Sequence, residues 1–161
     1  MTEPTHLVTG LLIGRITGNY AAALSGSLVV DLDHFVSYYR HSLISKPRKL
    51  LKVMMDEKDQ WGDQRNFMHG IFSWIVGSGL LMLINFQFGF VFSIAYFSHI
   101  LLDAIDGADF WPYFPFQKLN LKGPIGYGSR REAVFCSILF LILIFVFIAP
   151  SIAQYIFALP R

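Results

Sequence analysis

The stretch from Ala133 to Phe157 contains no charged residue, which limits the folds open to this chain. An apolar run of about 20 residues or more has the length of a helix that crosses a bilayer. Two further runs, Phe67 to Phe86 and Phe88 to Ile105, are each about that long. The chain is 54% hydrophobic and 15% charged, too apolar for an ordinary soluble protein. The sequence therefore predicts an integral membrane protein with three transmembrane helices.

Length and charge exclude several other classes of protein. The 161 residues predict one membrane-embedded domain, residues 1–161. The formal net charge is +2, and the basic residues lie in two loops rather than in a stripe, so no nucleic-acid partner is expected. The single cysteine, Cys136, rules out an internal disulfide and a thiolate zinc site.

Residues 7–30 allow two interpretations. Gly18 and Asn19, side by side, favour a turn between two short helices. Small residues recur every fourth position, and this stripe favours one continuous helix instead: Gly10, Gly14, Gly18, Ala22 and Gly26. Spacing alone does not choose between them.

The distribution of basic residues predicts the topology. Seven of the thirteen Lys and Arg residues lie from Arg40 to Arg65, and four lie from Lys118 to Arg131. By the positive-inside rule, both loops face the cytoplasm of a multi-pass inner-membrane protein. A hairpin turning near Asn19 returns the chain and brings His6 to the same side. We therefore predict an all-α bundle, an N-terminal helical hairpin plus three transmembrane helices.

Ionisable side chains at the ends of apolar segments are the candidate site. Such groups are costly in a membrane and mark functional positions. His99 and Asp103, four residues apart, point from one helical face and can share a metal ion. Two carboxylates close together repel unless a cation neutralises them. The predicted metal ligands are His6, Asp31, Asp33, His34, His69, His99 and Asp103.

Simpler explanations exist for each part of this set. A buried hydrogen bond explains a His–Asp pair about as often as a metal does. The paired carboxylates have Arg15, Arg40 and Arg65 as possible salt-bridge partners. A ligand set of His and Asp suits a divalent ion such as Zn, and also admits Mn or Fe.

The residue pattern of the basic loop between Arg40 and Arg65 predicts a short helix. From Pro47 onward, apolar and charged residues fall on opposite helical faces. The pattern is typical of a helix lying in the lipid headgroup region, and a solvated surface helix is the alternative.

Five motifs in order give the chain a family resemblance. It resembles the YdjM-type membrane-bound metal-dependent hydrolases over nearly its whole length. The matching blocks are His6-Leu-Val-Thr-Gly, Gly26-Ser-Leu-Val-Val-Asp-Leu-Asp-His34, Gln64-Arg-Asn-Phe-Met-His69, Ser98-His-Ile-Leu-Leu-Asp103 and Gly128-Ser-Arg-Arg-Glu132.

The resemblance implies a fold and an activity. The family is similar to a small helical version of the zinc-dependent phospholipase C folds, and its name implies hydrolysis. Glu132 would then be a metal ligand or a general base. The chain departs from the family pattern at Gln64, where the family has His, and at Asp106, where it often has Thr.

These residues together predict metal-assisted hydrolysis of a phosphoester at the cytoplasmic interface, with a lipid-linked phosphoester as the favoured substrate. Asp33, Asp103 or Glu132 would take the proton, and Arg65 would hold an anionic headgroup. The expected partner is a membrane lipid or a lipid-linked substrate.

Two other classes of function compete with the hydrolase. A non-enzymatic membrane scaffold would tolerate Gln64 in place of the family histidine. A small transporter should carry charge through the middle of the membrane, where only Arg15 and Asn19 lie deep. Metal analysis separates the scaffold from the hydrolase, and liposome flux separates the transporter from both.

Overall fold

The computed structural model is helical. It describes residues 1–158 except 56–60, 62–64, 66 and 118, and only the backbone of 151–158. Among the described residues no β-strand forms beyond two isolated bridges. The helices are α1 (Glu3–Thr17), α2 (Tyr20–Leu28), α3 (Leu32–Arg40), α4 (Pro47–Met54), α5 (Ile71–Ile84), α6 (Phe86–Ile105) and α7 (Arg130–Ala158), with a 3₁₀ turn at Val29–Asp31.

The first two helices form the predicted hairpin. Gly18 ends α1 in the left-handed conformation, with a φ of 74°, which glycine adopts at little cost. Asn19 then caps α2, its side-chain oxygen accepting from the Ala22 amide at 3.1 Å. A Cβ on Gly10 would meet Ser27 of α2, which shows that α1 and α2 pack closely against each other. The hairpin interpretation is confirmed, and within the small-residue stripe Gly10 and Gly14 of α1 provide the close contact with α2.

Helix α6 is the centre of the bundle. It lies against α2, where a Cβ on Gly26 would meet the Phe92 carbonyl and the Ala95 side chain. Helix α5 lies on another side of α6, with Trp74 Nε1 donating to the Ser93 carbonyl at 3.0 Å. The buried core contains Ala22, Ala23, Val30, Val91, Phe92, Ala95, Tyr96, Ile100 and Phe110.

Two described helices, α6 and α7, are long and apolar enough to cross a membrane. The third predicted span, Phe67 to Phe86, is shorter than expected, because α5 covers the 14 residues Ile71–Ile84. Its N-terminal part is a turn held by Tyr96, whose hydroxyl donates to the Met68 carbonyl. Asn85 separates α5 from α6 and caps α6. The sequence located all three apolar helices but overestimated the length of this one.

An irregular connector, residues 106–128, joins α6 to α7. Short bridges pair Asp106 with Ile125 and Phe110 with Leu121. Phe110 is fully buried in the core. Gly123 allows close approach, since a Cβ there would meet the Ile105 carbonyl. The connector therefore covers the end of α6 that carries His99 and Asp103.

Candidate metal centre

The residues predicted to bind metal lie together at one end of the bundle. Each contacts at least one other member within 4 Å. They come from α1, the 3₁₀ turn, α3, the turn before α5, and α6. We call the set the His/Asp cluster: His6, Asp31, Asp33, His34, His69, His99 and Asp103.

Four atoms of the cluster have the spacing of metal ligands. Asp103 Oδ2 lies 3.3 Å from His69 Nε2 and 3.4 Å from His99 Nε2. Asp31 Oδ1 lies 3.8 Å from His69 Nε2 and 3.6 Å from His99 Nε2. Around a tetrahedral zinc, with bonds of about 2.0–2.1 Å, neighbouring ligand atoms are about 3.3 Å apart. The four distances that join a histidine nitrogen to a carboxylate oxygen are therefore close to those between ligands of one ion.

Three of the four atoms lack a hydrogen bond. His69 Nε2, His99 Nε2 and Asp103 Oδ2 are buried and form no hydrogen bond within the described part of the chain, although each histidine nitrogen lies within ion-pair distance of the carboxylate oxygen. A buried polar atom without a partner costs about 1–3 kcal/mol, so such atoms are uncommon in native proteins. A cation among them would satisfy all three at once.

The other ring nitrogen of each histidine fixes its orientation. His99 Nδ1 lies 2.6 Å from the Ser27 carbonyl oxygen, to which it must donate because a carbonyl only accepts. His69 Nδ1 lies 3.2 Å from Asp33 Oδ2 and donates to that carboxylate. When both rings are neutral, each Nε2 presents a lone pair toward the common centre, the usual arrangement for metal-binding histidines. The residues present fit a divalent ion.

Asp33 occupies a different position from the other carboxylates. Its Oδ2 accepts from the Met68 amide at 2.7 Å as well as from the His69 ring. This places Asp33 at the ring nitrogen opposite the four converging atoms. In this geometry it orients His69, whereas the sequence predicted a ligand.

His6 and His34 flank the four-atom centre. The His6 ring stacks on His99 with centroids 3.6 Å apart, and its Nε2 lies 3.4 Å from Asp103 Oδ1. His34 Nε2 lies 3.4 Å from Asp31 Oδ1, on the other side. Possible metal groups are therefore His6 with His99 and Asp103, and Asp31 with His69 and His99. Since His99 has one free nitrogen, the two groups cannot each use it for a separate ion.

Burial controls the charge state of His69. Burial lowers the pKa of His69 to about 4, against the opposing effect of its hydrogen bond to Asp33, so the ring is neutral at pH 7.

The carboxylates of the cluster differ in their exposure to solvent. Asp31 and Asp33 are 14% and 13% exposed, whereas Asp103 is 1% exposed. The cluster is therefore closed toward α6 and open at the 3₁₀ turn and α3.

Arg65 balances the buried carboxylates. One guanidinium nitrogen, Nη2, lies 2.8 Å from Asp106 Oδ2 and 3.6 Å from Asp103 Oδ1. Burial alone would lower the pKa of Arg65, but Asp103 and Asp106 raise it above its usual range. The Met1 ammonium also contacts both carboxylates, each at 2.6 Å. The second nitrogen, Arg65 Nη1, is buried without a partner in the described structure.

Asp106 is a site residue that the sequence analysis did not select. It is fully buried and accepts from Arg65 beside Asp103. The signal was its position three residues after Asp103, which places two carboxylates near one helix end. The partner Arg65 lies 41 residues away in the chain, so the pairing itself had no local signature.

Comparison with known families agrees with the motifs. The family model of the YdjM inner membrane protein family matches residues 1–158. The chain belongs to this family. Curated proteins and solved structures gave no match. The YdjM assignment confirms the resemblance, and α6 and α7 fit the inner-membrane character in the family's name.

Glu132, to which the YdjM resemblance gives a ligand or general-base role, lies elsewhere. Its Oε1 accepts from the Thr2 amide, from the Thr2 hydroxyl at 2.8 Å and from the Thr5 hydroxyl at 3.2 Å. Its Oε2 accepts from the Gly128 amide at 2.7 Å. Both oxygens thus tie the start of α7 to the start of α1. None of the described contacts joins Glu132 to the His/Asp cluster.

One departure from the YdjM pattern stays a sequence observation. Gln64, which stands where the family has a histidine, lies outside the described residues. The four converging atoms come from other residues, so the ligand geometry described above does not depend on it.

Proposed function

We propose that this YdjM-family protein is a metal-dependent hydrolase that cleaves a phosphoester of a membrane lipid or lipid-linked substrate. The observation that carries the proposal is the convergence of buried, unbonded nitrogen and oxygen atoms from His69, His99 and Asp103, with Asp31 alongside. Nitrogen and carboxylate ligands suit Zn, with Mn and Fe as the alternatives.

The side chains would have different roles in such a site. Asp31, His69, His99 and Asp103 would hold a divalent ion, which when bound supplies a Lewis acid for a phosphoryl oxygen and makes water more acidic. Asp33 keeps the His69 ring in place through Oδ2. No described residue bonds its other oxygen, Oδ1, and the Asp33 side chain is partly exposed, so this oxygen could take a proton.

Arg65 supplies positive charge for the substrate. Its Nη2 is held by Asp106, and its buried Nη1 has no partner among the described residues. A phosphoryl oxygen is a strong acceptor for such a charged donor. The role predicted for Arg65, holding an anionic headgroup, thus remains compatible with its ion pairs.

A largely apolar pocket beside α7 supports contact with a lipid next to the site. A space of about 670 Å³ lies between α1 and α7. We call it the α1–α7 cavity. Thr2, Gly128 and Glu132 line one end, and Phe140 and Leu141 line the other. None of the residues that line it belongs to the His/Asp cluster, so the pocket supports a lipid chain lying beside the cluster and does not bring a headgroup onto the metal ligands.

The orientation is part of the proposal. Eleven of the thirteen basic residues fall from Arg40 to Arg65 or from Lys118 to Arg131, which favours a cytoplasmic site in a multi-pass protein. In this arrangement α6 and α7 cross the membrane, the shorter α5 runs beside α6 and takes the chain from the cytoplasmic loop to the start of α6, and the α1–α2 hairpin packs on α6. Reporter fusions at residues 2 and 161 should report opposite sides, and agreement between them would contradict the topology.

The reaction is tested with protein reconstituted in lipid and supplied with Zn, Mn or Fe. Phospholipids, prenyl phosphates and soluble phosphoesters are the substrates to compare. We expect turnover to need Asp31 and to survive Asp109→Asn, a matched substitution at an exposed carboxylate outside the cluster. If metal-loaded protein and its Asp31→Asn variant are equally inactive on every substrate, the scaffold function becomes the better explanation.

A further inference from the structure

A second polar pocket lies outside the His/Asp cluster, along α4. Its volume is about 390 Å³. Three of its seven lining residues are lysines, and the described lining contains no acidic residue. We call it the lysine groove: His41, Leu43, Lys46, Lys49, Lys52, Val53 and Trp61.

The groove has an apolar floor and one flat wall. Leu43 and Val53 are 6% and 8% exposed and form the floor. The wall is the His41 ring stacked on Trp61, with centroids 4.1 Å apart and an angle of 13° between the rings. Lysine stems can lie over an apolar floor while their ammonium groups stay at the rim.

The charges on α4 point to an anionic occupant. Lys46, Lys49 and Lys52 are spaced three residues apart, which places them on one side of the helix. All three are exposed. Like charges at this spacing repel one another, and a phosphate group brought between them would replace repulsion with attraction.

The surroundings place the groove at a membrane surface. On α4 and just after it, Leu51 is 60% exposed, Met54 38% and Met55 81%. Basic and exposed apolar residues on one short helix are typical of a segment in the headgroup region. The Tyr127 hydroxyl donates to the Met54 carbonyl at 2.9 Å, so α4 is tied to the connector over the His/Asp cluster.

We propose that the lysine groove binds the phosphate of an anionic membrane lipid, at a position separate from the His/Asp cluster. Lys46, Lys49 and Lys52 contact the phosphate, while Leu51, Met54 and Met55 contact the acyl region. The proposal does not depend on hydrolase activity, because it concerns binding by different residues.

The test measures the affinity of the full-length, detergent-purified protein for phosphatidylglycerol, with phosphatidylcholine as the zwitterionic comparison. A lysine near an anionic surface contributes about 1 kcal/mol, so Lys49→Gln should weaken phosphatidylglycerol binding about fivefold. The triple variant Lys46→Gln/Lys49→Gln/Lys52→Gln should weaken it by about tenfold or more. Phosphatidylcholine should bind weakly to every form.

Arg48 provides the matched control. It precedes Lys49 on α4, carries the same charge and does not line the groove. Arg48→Gln should change the affinity less than about twofold, since only diffuse attraction is lost. Equal losses in Arg48→Gln and Lys49→Gln would mean that the whole helix attracts anions without a site, which overturns the proposal.

Two further measurements separate the sources of the phosphate. Inorganic phosphate should compete poorly with phosphatidylglycerol, and tighter binding of inorganic phosphate than of the lipid would overturn the lipid assignment. Phosphatidylglycerol should also change the tryptophan fluorescence of the protein, and Trp61→Phe should remove that change. A change that persists in Trp61→Phe would place the lipid elsewhere.

Discussion

Helices α6 and α7 are both long and apolar enough to cross a membrane, but their surroundings differ. Within the apolar segment long enough to cross a membrane, 56% of α6 is buried inside the protein, compared with 6% of α7. Helix α6 also carries His99 and Asp103, whereas the polar contacts of α7 are concentrated at its first turn. Apolar length therefore identifies both helices, but only burial separates the helix that builds the site from the helix that faces outward.

The polar residues on α6 are the reason for this burial. A histidine and an aspartate on a membrane helix need partners, and neighbouring elements supply them. Ser27 reaches His99 from α2, and Arg65 reaches Asp103 from the basic loop. Helix α7 has no such groups along its apolar length, so lipid can surround it.

The largest expected effect is loss of metal when α6 is altered. Purified protein should contain a divalent transition metal, and His99→Ala or Asp103→Asn should lower its content at least about tenfold, because the first removes a converging nitrogen and the second removes the negative charge of the carboxylate. Elemental analysis before and after chelation measures this.

Phe145→Ala on α7 and Asp109→Asn in the connector are the controls, and both should keep the metal. Phe145 is 69% exposed and lies far from the cluster. Equal metal content in all variants would show that α6 has no special role in binding.

A second effect concerns the tight contact between α2 and α6. Gly26→Leu places a side chain against the Phe92 carbonyl and Ala95. Overpacking costs about 1–3 kcal/mol and more where backbone is met, so we expect the unfolding midpoint in detergent to fall by roughly 5 °C or more.

Gly79→Leu on α5 is the comparison, because a Cβ there meets nothing within 4 Å. It should leave the midpoint nearly unchanged. Similar losses in the two variants would mean that the α2–α6 contact is not tighter than the outer surface of α5.

The attachment of α7 provides a third, smaller effect. Glu132→Gln replaces a charged acceptor of the Thr2, Thr5 and Gly128 bonds by a neutral amide, costing about 1–2 kcal/mol. We expect a lower unfolding midpoint with unchanged metal content. Loss of metal without loss of stability would instead support the ligand role implied by the family resemblance.

The smallest effect lies in the connector between the two helices. Asp109 is hydrogen-bonded to Lys122 at 2.7 Å and to Asn120 at 2.6 Å, and both lower its pKa. This stabilisation is therefore present above the unfolded pKa, about 3.9, and is lost as the pH falls through the lower folded pKa. The pair is exposed, so it contributes less than about 1 kcal/mol.

The Asp109→Asn variant should accordingly have a slightly lower unfolding midpoint at pH 6. Between pH 5 and pH 3 its midpoint should fall less than that of the unsubstituted protein. Unfolding curves of both forms across this range measure the difference. An identical pH dependence in the two proteins would contradict the assignment of this step to Asp109.

Local patterns predicted most of the fold. Gly18 and Asn19 marked the hairpin turn, and apolar runs marked α6 and α7. The error at α5 has a physical cause. Phe67 continues the apolar run, but the backbone at residues 67–70 bonds instead to Tyr96 and Ser73. Hydropathy cannot detect a turn that is stabilised by distant side chains.

It was easier to predict which residues form the cluster than to predict the role of each residue. Histidines and aspartates at helix ends identified all seven residues of the His/Asp cluster. Their individual geometry depends on long-range partners, such as Ser27 for His99 and Thr2 for Glu132. Because a backbone carbonyl has no sequence signature, the tautomer of His99 could only come from the structure.

The bond from His99 to Ser27 also has a consequence for biogenesis. It joins residues 72 positions apart, and Asp31, just after Ser27, faces His69 and His99 across the same centre. The N-terminal hairpin is therefore synthesised long before α6 exists to complete its ligand set. Binding of the proposed ion would have to follow insertion of α6, so a pulse-labelled chain halted before residue 99 should not retain metal.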